Sequence, residues 1–170
     1  FSTSLKAPKD FHLKAGGKEI NVIGAESSEL ITKRLRLPAK IEKGEYVSDV
    51  ANDILKIVVV NRYQDAPPAV AFVKGFGIKK GALASCVAHD SHNIIAVGTN
   101  DDDLCRAVNA LIDAKGSIAA VDGEKVDVLP LPVGGIMSAD EGHIVAESYS
   151  RIDQQAKKLG STLTAPFMTR

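Results

Sequence analysis

The sequence has little cysteine and few aromatic residues. Among its 170 residues there are two cysteines and no tryptophan, and aromatic residues make up 5%. Cys86 and Cys105 each lie in an apolar run and form no CxxC pair. We therefore expect two reduced, buried thiols and neither a disulfide nor a metal site. Such thiols are typical of a cytoplasmic protein.

An excess of charge of either sign is also absent. Lysine plus arginine number 21 and aspartate plus glutamate number 21. This balance gives no global positive field for nucleic acid or an anionic membrane. No apolar run is long enough to span a bilayer, and the first residues lack the charged start and apolar centre of a signal peptide. The expected location is the cytoplasm, with no nucleic-acid partner and no membrane partner.

What is present is the composition of a globular protein, with 45% hydrophobic residues. A chain of this length fits one domain, residues 1–170. Residues 1–50 hold two strand-like pieces, Glu19–Ala25 and Leu30–Leu37, which indicate an antiparallel or edge portion of a sheet. The near-continuous β-branched run Ile54–Val60 predicts a central strand buried on both faces. A further short strand is expected at Ala69–Val73.

The middle of the chain predicts a hairpin followed by a helix. Apolar strands at 82–88 and 94–97 flank the polar sequence HDSHN, which is too short for a parallel return. An apolar stripe then recurs at helical spacing, with N-cap candidates before it and Lys115-Gly116 after it; it consists of Leu104, Ala107, Val108, Leu111 and Ile112. Strand Ser117–Val121 follows, so strand, helix and strand form a βαβ unit.

The last third predicts an edge strand and a second helix. The alternation in Lys125–Leu131 favours the edge strand, and Ser138-Ala139-Asp140-Glu141 has the pattern of a capping box. The helix carries one apolar side, formed by Ile144, Val145, Ser148, Tyr149, Ile152, Ala156 and Leu159, and ends at Gly160. The expected fold is α/β, with α+β as the alternative: a mixed sheet with at least two helices packed on it.

The glycine-rich stretch Gly75–Gly81 does not match a nucleotide-binding motif. The last gap is one residue too long for G-x-G-x-x-G, and a strand follows where that motif requires a helix. A turn between strands is the simpler interpretation. Gly75 and Gly77 also allow a neighbouring domain or a ligand to approach the backbone closely.

The richest chemical cluster is the HDSHN sequence of residues 89–93. His89 and His92 could converge on a metal with Asp90 as a supporting carboxylate, or a histidine beside Asp90 could act as a general base. Against a metal, His12 and His143 are isolated in sequence, so a third ligand is missing. Asp, Ser and Asn are also common turn residues. The spacing alone leaves both interpretations open.

A series of short motifs resembles the C-terminal domain of bacterial adenine deaminases. The resemblance is specific from about residue 53 to residue 169 and weaker before it. Its motifs are Asn61-Arg62-Tyr63, Ala66-Pro67-Pro68, Phe72–Gly77, Gly81–Ser85, Val87–Asn93, Val97–Asp101, Leu129–Pro132, Gly135–Ser138 and Pro166–Thr169.

The resemblance implies part of an amidohydrolase-superfamily enzyme of purine salvage, which hydrolyses adenine to hypoxanthine and ammonia. In that family manganese or iron sits in a (β/α)₈ barrel that lies upstream of this domain, and a metal-bound hydroxide attacks the purine. This chain has neither the length nor the histidine pair of such a barrel. We therefore expect that it is the C-terminal domain of a longer enzyme, that its main partner is its own barrel, and that alone it holds no catalytic metal and is inactive.

Within that resemblance we place the candidate site residues near the entrance of the barrel. The catalytic candidates are His89, Asp90 and His92. The substrate-proximal candidates are Ser91, Asn93, Gly75 and Gly77; no residue is a candidate metal ligand. The hypothesis is that residues 89–93 exclude water, position the purine or move a proton.

Two other functions remain open at this point. The domain could serve packing or oligomerisation only, with residues 89–93 as turn chemistry; self-association of the chain is compatible with the sequence. Less strongly, it could be a free-standing module for a metal or a purine. The chain starts at Phe1 and ends at Arg170, which we interpret as the ends of a proteolytic fragment or of a separately produced domain.

Overall fold

The structure is a computed structural model that describes residues 1–26 and 31–168. The strands are β1 (Glu19–Gly24), β2 (Lys33–Pro38), β3 (Lys40–Glu42), β4 (Glu45–Val47), β5 (Ile54–Val60), β6 (Ala69–Lys74), β7 (Ala82–Ser85), β8 (Ile94–Gly98), β9 (Ser117–Asp122) and β10 (Lys125–Pro130). The helices are α1 (Asp101–Asp113) and α2 (Gly142–Lys158), with 3₁₀ turns at Pro8–Phe11 and Val50–Asn52. Two sequence predictions reach outside the described residues: the start of a strand at Leu30, and the last motif residue, Thr169.

Eight strands form one mixed sheet in the order β10-β9-β7-β8-β5-β6-β1-β2. Strand β7 pairs antiparallel with both β8 and β9, so β8 and β9 run parallel and α1 connects them across β7. This is the predicted βαβ unit. The α/β fold with two helices on a mixed sheet is confirmed, as are the central position of β5 and the edge positions of β10 and β2. The prediction that β5 is buried on both faces is wrong at Val59, which is 36% exposed because no described element covers that face there.

The sheet has a core on each face. On one face, α1 packs on β7, β8 and β9 with Leu104, Val108 and Leu111 fully buried. On the other face, α2 packs on β9 and β10, and Ile152 and Ala156 join a cluster that also contains Phe76 and Phe167. The helical stripes therefore pack where the sequence placed them, except that Ile144 is exposed. None of the described helices combines the length and apolar character needed to cross a bilayer.

The start of α2 differs from the prediction. The helix begins at Gly142 after Glu141, and Glu141 makes no side-chain cap bond. Ser138 is not the cap residue, because its hydroxyl donates to the Asp140 carboxylate and accepts from the Asp140 N–H, 2.9 and 3.1 Å away. The serine thus closes a local turn before the helix, which is the usual competing use of a short hydroxyl side chain.

Two further features were not predicted. Strands β3 and β4 form a small separate hairpin in a stretch where no strand was predicted. In β5, Lys56 is only 2% exposed, although it is the one charged residue of a near-continuous β-branched run. Its ammonium group donates to the Asp101 carboxylate at 2.6 Å and to the Phe11 carbonyl at 3.0 Å. A buried cation is tolerated because both contacts compensate its lost hydration.

Candidate functional site

The polar sequence at 89–93 forms the end of the β7–β8 hairpin, as predicted. Strand β7 ends at Ser85, earlier than expected, so the connecting loop covers residues 86–93. Its shape is set by local bonds: the Ser85 hydroxyl accepts from the Val87 N–H, and the His92 N–H donates to the Ala88 carbonyl. His92 has a φ of 51°, a left-handed conformation in which histidine is among the better tolerated residues.

The loop presents its side chains to the surface. His89, Asp90 and Ser91 are exposed, and His92 and Asn93 are half-buried. The two imidazole rings meet edge to face with their centroids 5.7 Å apart. The Nδ1 atom of His92 is buried and finds no hydrogen-bond partner among the described residues. A buried polar atom without a partner is uncommon and needs an explanation.

The neighbouring loop, residues 61–68, holds this hairpin end in place. The backbone N–H of Arg62 donates to the Asn93 side-chain carbonyl at 3.2 Å, and the Tyr63 hydroxyl donates to the Ser91 carbonyl at 2.9 Å. Tyr63 therefore anchors loop 61–68 to the hairpin end. The Ser91 backbone oxygen and the Asn93 side-chain oxygen are thus held by hydrogen bonds. The side chains of His89 and Asp90 are exposed and remain available to another molecule.

Arg62 connects the hairpin end to a third loop. Its guanidinium lies 5.2 Å from the ring centre of Phe1 and 4.9 Å from that of Tyr63. It also donates to the Gly134 carbonyl at 2.9 Å, yet its buried Nε–H has no partner among the described residues. Sequence patterns did not mark Arg62 as a site residue. The available signal was an arginine two residues after a buried strand and directly before an aromatic residue.

The first residues of the chain are fastened to the same loop by Asp65. Its carboxylate accepts from the Lys6 ammonium at 2.6 Å and from the Ser4 hydroxyl at 2.8 Å. These bonds, that to Lys6 first, lower the pKa of Asp65 from its usual 3.8 to about 2. The Asp65 carboxylate is therefore charged at neutral pH, the form that accepts these bonds.

Gly75 and Gly77 lie at the other end of the sheet from the 89–93 loop. Their N–H groups donate to the two carboxylate oxygens of Asp53 at 2.9 and 2.8 Å. Gly75 has a φ of 110°, and a Cβ there would lie 2.1 Å from the Ala25 carbonyl oxygen. The close backbone approach that these glycines permit is thus an approach within the chain itself. Their proximity to substrate stays a prediction, and the structure does not bring them together with residues 89–93.

The cysteines match their predicted structural role. Both are buried and form no disulfide. The Cys86 thiol donates to backbone carbonyls of Ser117 and Gly135, which joins the hairpin end to the loop at 131–137. Burial raises the pKa of the Cys105 thiol, so that this group stays protonated.

Metal ligation by the described residues has no support in the geometry. Within residues 1–26 and 31–168, no three side chains of His, Cys, Asp or Glu are grouped so as to hold an ion. His12 contacts Glu45 and Asp101, and His143 contacts Glu141, so the described ion pairs of these two histidines do not involve His89 or His92. The roles proposed for His89, Asp90 and His92 stay predictions.

Comparison with known proteins gives a family for most of the chain. Residues 29–170 match the family model described as the adenine deaminase C-terminal domain. A protein named adenine deaminase from Methanosarcina mazei is 50% identical over 154 residues, which are 91% of this chain and 28% of that protein. Similar proteins of the same name from Salinibacter ruber and Borreliella burgdorferi are 48% and 41% identical in alignments of 171 positions that cover 99% of this chain and 31% of each relative. The chain therefore spans less than a third of the length of these curated relatives.

Proposed function

This chain belongs to the adenine deaminase C-terminal domain family, and from that premise we propose that it is the C-terminal domain of an enzyme that hydrolyses adenine to hypoxanthine and ammonia. The family match over residues 29–170 is the observation that carries the proposal. Three relatives from separate organisms bear the name of this activity and match nearly the whole chain. The proposal includes a cytoplasmic location and a role in purine salvage, in keeping with two buried thiols that form no disulfide.

Within the enzyme, we assign to this chain the role of placing residues 89–93 beside the bound purine. The loop is exposed, it is rich in groups that exchange protons or hydrogen bonds, and it is anchored from Arg62 and Tyr63. An anchored loop loses little conformational freedom when a substrate binds, so its contacts favour binding and orientation. His92 Nδ1 supplies a buried acceptor or donor that has no internal use among the described residues.

The manganese or iron that the family resemblance implies does not fit the described residues of this chain. No three ligand side chains converge there, whereas a catalytic metal in a protein usually has three protein ligands. In this proposal the metal is held by the part of the enzyme that the chain does not span. The contribution of the chain is then limited to orientation, exclusion of water and proton movement at the loop.

The activity is tested with the full-length enzyme and with this chain alone. The full-length enzyme should release hypoxanthine and ammonia from adenine in equal amounts, measured by chromatography and an ammonia assay. The chain alone should release neither. Failure of the full-length protein to act on adenine, with or without added manganese or iron, would contradict the assignment.

A role in packing alone remains the second candidate, and the exposed apolar part of the sheet favours it. Val59, in the central strand β5, is 36% exposed. The two functions differ in one measurable respect. If the domain only packs, replacing the exposed His89 leaves the kinetics with adenine unchanged.

A further inference from the structure

One part of the sheet is apolar and exposed although it lies near the middle of the fold. Backbone pairing places Val59 opposite Ala69 and Ile57 opposite Ala71, so these four side chains project from the same face. The pairing of β1 with β6 adds Ile23 to that face. We call these five residues, Ile23, Ile57, Val59, Ala69 and Ala71, the open sheet face.

Exposure separates the open sheet face from the part of the same side that lies near α2. Val59 is 36% exposed and Ile23 is 38% exposed, Ala69 and Ala71 are exposed, and Ile57 is half-buried. On β1 and β2 the same side carries exposed polar residues, among them Asn21 and Arg34. The part near α2 is covered. Helix α2 packs on β9 and β10, and Leu55 and Val73, on the strands of the open sheet face, belong to a buried cluster with Phe76, Ile78, Leu163 and Phe167.

The open sheet face is unusual for its position in the fold. Strand β5 lies between β8 and β6 in an eight-stranded sheet, and its opposite face is fully buried at Val58 and Val60. Strands with near-continuous β-branched sequence are typical of sheets covered on both sides. An exposed apolar patch bordered by polar residues commonly marks a surface for another protein segment.

The open sheet face extends to the 86–93 loop. Val59 is followed by Val60, which pairs with Ile94, the residue directly after the loop. At the opposite margin of the open sheet face, near β1 and β2, a cavity of about 330 Å³ lies between Ile23, Ala71 and Arg34. The Arg34 guanidinium contacts only the Asn21 amide among the described hydrogen bonds and ion pairs, at 3.4 Å. An apolar partner segment with an acidic side chain near Arg34 would complement this surface.

We propose that the part of the full-length enzyme that this chain does not span packs on the open sheet face and thereby comes into contact with the 86–93 loop. The relatives named above are about three times as long as the aligned region, since that region covers 28–31% of them. The remaining part is thus large enough to cover the face. This inference rests on the proposed function only in taking the chain as one part of a longer enzyme.

Cysteine labelling of the full-length enzyme tests this contact. Val59→Cys and Ala69→Cys are made separately, with Val126→Cys as the matched control. Val126 is a valine of similar exposure, 39%, on edge strand β10. The native Cys86 and Cys105 are buried, and labelling of the unsubstituted enzyme gives the background rate that is subtracted. In the native enzyme, maleimide should modify the cysteines at 59 and 69 at least about tenfold more slowly than the cysteine at 126, and in urea the three rates should be equal.

Rates at positions 59 and 69 equal to that at 126 in the native enzyme would overturn the proposal. So would protection that disappears when the enzyme is diluted to monomers, because a second copy of the chain would then be the occupant. The result is independent of the kinetics of His89 variants. If the cysteines at 59 and 69 are protected but the His89 variants have unchanged kinetics, the packing proposal stands and the role of the loop is removed. If those cysteines are labelled rapidly but the His89 variants have impaired kinetics, the role of the loop stands and the packing proposal is removed.

Discussion

At one end of the sheet the charged groups of Asp53, Lys56 and Asp101 are paired within the chain, whereas at the other end His92 and Arg62 each keep a buried atom without a partner among the described residues. The first end, which we call the clamped end, contains Asp53, the 74–81 connection and Asp101. Asp53 accepts two backbone N–H groups and Asp101 accepts from buried Lys56. The second end, the loop end, contains loops 61–68 and 86–93. There, His92 Nδ1 and Arg62 Nε are buried without a partner among the described residues.

This difference separates residues that maintain the fold from residues that face another molecule. The clamped end has the close contacts and compensated charges that stabilise a sheet. The loop end has exposed chemical groups on a firmly held backbone, which is the usual arrangement of binding and catalytic residues on a rigid scaffold. Substitutions at the two ends should therefore affect different properties.

The largest expected effect is on stability at the clamped end. Gly81 has a φ of +77°, and a Cβ there would lie 2.0 Å from the Val121 carbonyl oxygen. Gly81→Ala should lower the free energy of unfolding by about 3 kcal/mol or more, because backbone must move to admit the methyl group. The control is Gly123→Ala, with a φ of +59° and no atom within 4 Å of the added Cβ, which should cost only about 1 kcal/mol. Urea unfolding followed by circular dichroism measures both, and equal costs would contradict the role of the contact.

The next largest effect is expected for the buried ion pair. Asp101→Asn removes the charge that compensates Lys56 and should cost about 2–3 kcal/mol, since a cation is left buried. Its neighbour Asp102 is exposed at the same helix end. Asp102→Asn should cost only a few tenths of a kcal/mol, about the size of a helix-dipole effect. Similar losses in the two variants, again from urea unfolding, would show that Lys56 does not depend on Asp101.

A smaller effect should follow from loosening the loop end. Tyr63→Phe removes the hydroxyl that donates to the Ser91 carbonyl, and should lower stability by at most about 1 kcal/mol. In the full-length enzyme it should lower kcat/KM for adenine by about threefold, because the 89–93 loop is positioned less well. Stability and steady-state kinetics are measured on the same variant. A large loss of stability without a kinetic change would show that Tyr63 maintains the fold, as residues of the clamped end do, and does not position the loop for catalysis.

The smallest effect concerns pH. Asp65 has its pKa lowered to about 2 by its bonds to Lys6 and then Ser4. A carboxylate with a folded-state pKa below its unfolded value stabilises the fold above that unfolded value of 3.8, and this contribution is lost as the pH falls from 3.8 toward 2. Carboxyl NMR titration should give a pKa near 2 for Asp65 in the native chain and a value closer to 3.8 in Lys6→Gln. An unchanged pKa in that variant would show that Lys6 does not hold the loop.

The helices and strands whose apolar residues recur at regular spacing could be predicted from the sequence. Leu104, Val108 and Leu111 define α1 because their spacing matches one helix face, and the β-branched run of β5 indicates a central strand. The start of α2 could not be predicted in this way, because Ser138 has two competing local partners and the turn with Asp140 is formed. Propensity cannot decide between a cap and a turn that use the same hydroxyl group.

The features that depend on distant contacts were not accessible from sequence patterns. Lys56 is buried because Asp101 and Phe11, each 45 residues away in the chain, supply its partners. Gly75 and the 89–93 loop lie at opposite ends of the sheet because of the way the strands are arranged. Sequence motifs alone do not reveal that arrangement. The hairpin itself was predictable, because only a tight connection fits between β7 and β8.

The most direct test of the distinction between the two ends is the kinetics of His89→Ala and His92→Asn in the full-length enzyme. Asparagine is chosen at position 92 because it tolerates the left-handed φ of 51°. We expect kcat/KM for adenine to fall by at least about tenfold in each variant, while the free energy of unfolding changes by less than about 0.5 kcal/mol. Unchanged kcat/KM in both variants would contradict this expectation, and the loop end would then serve packing alone.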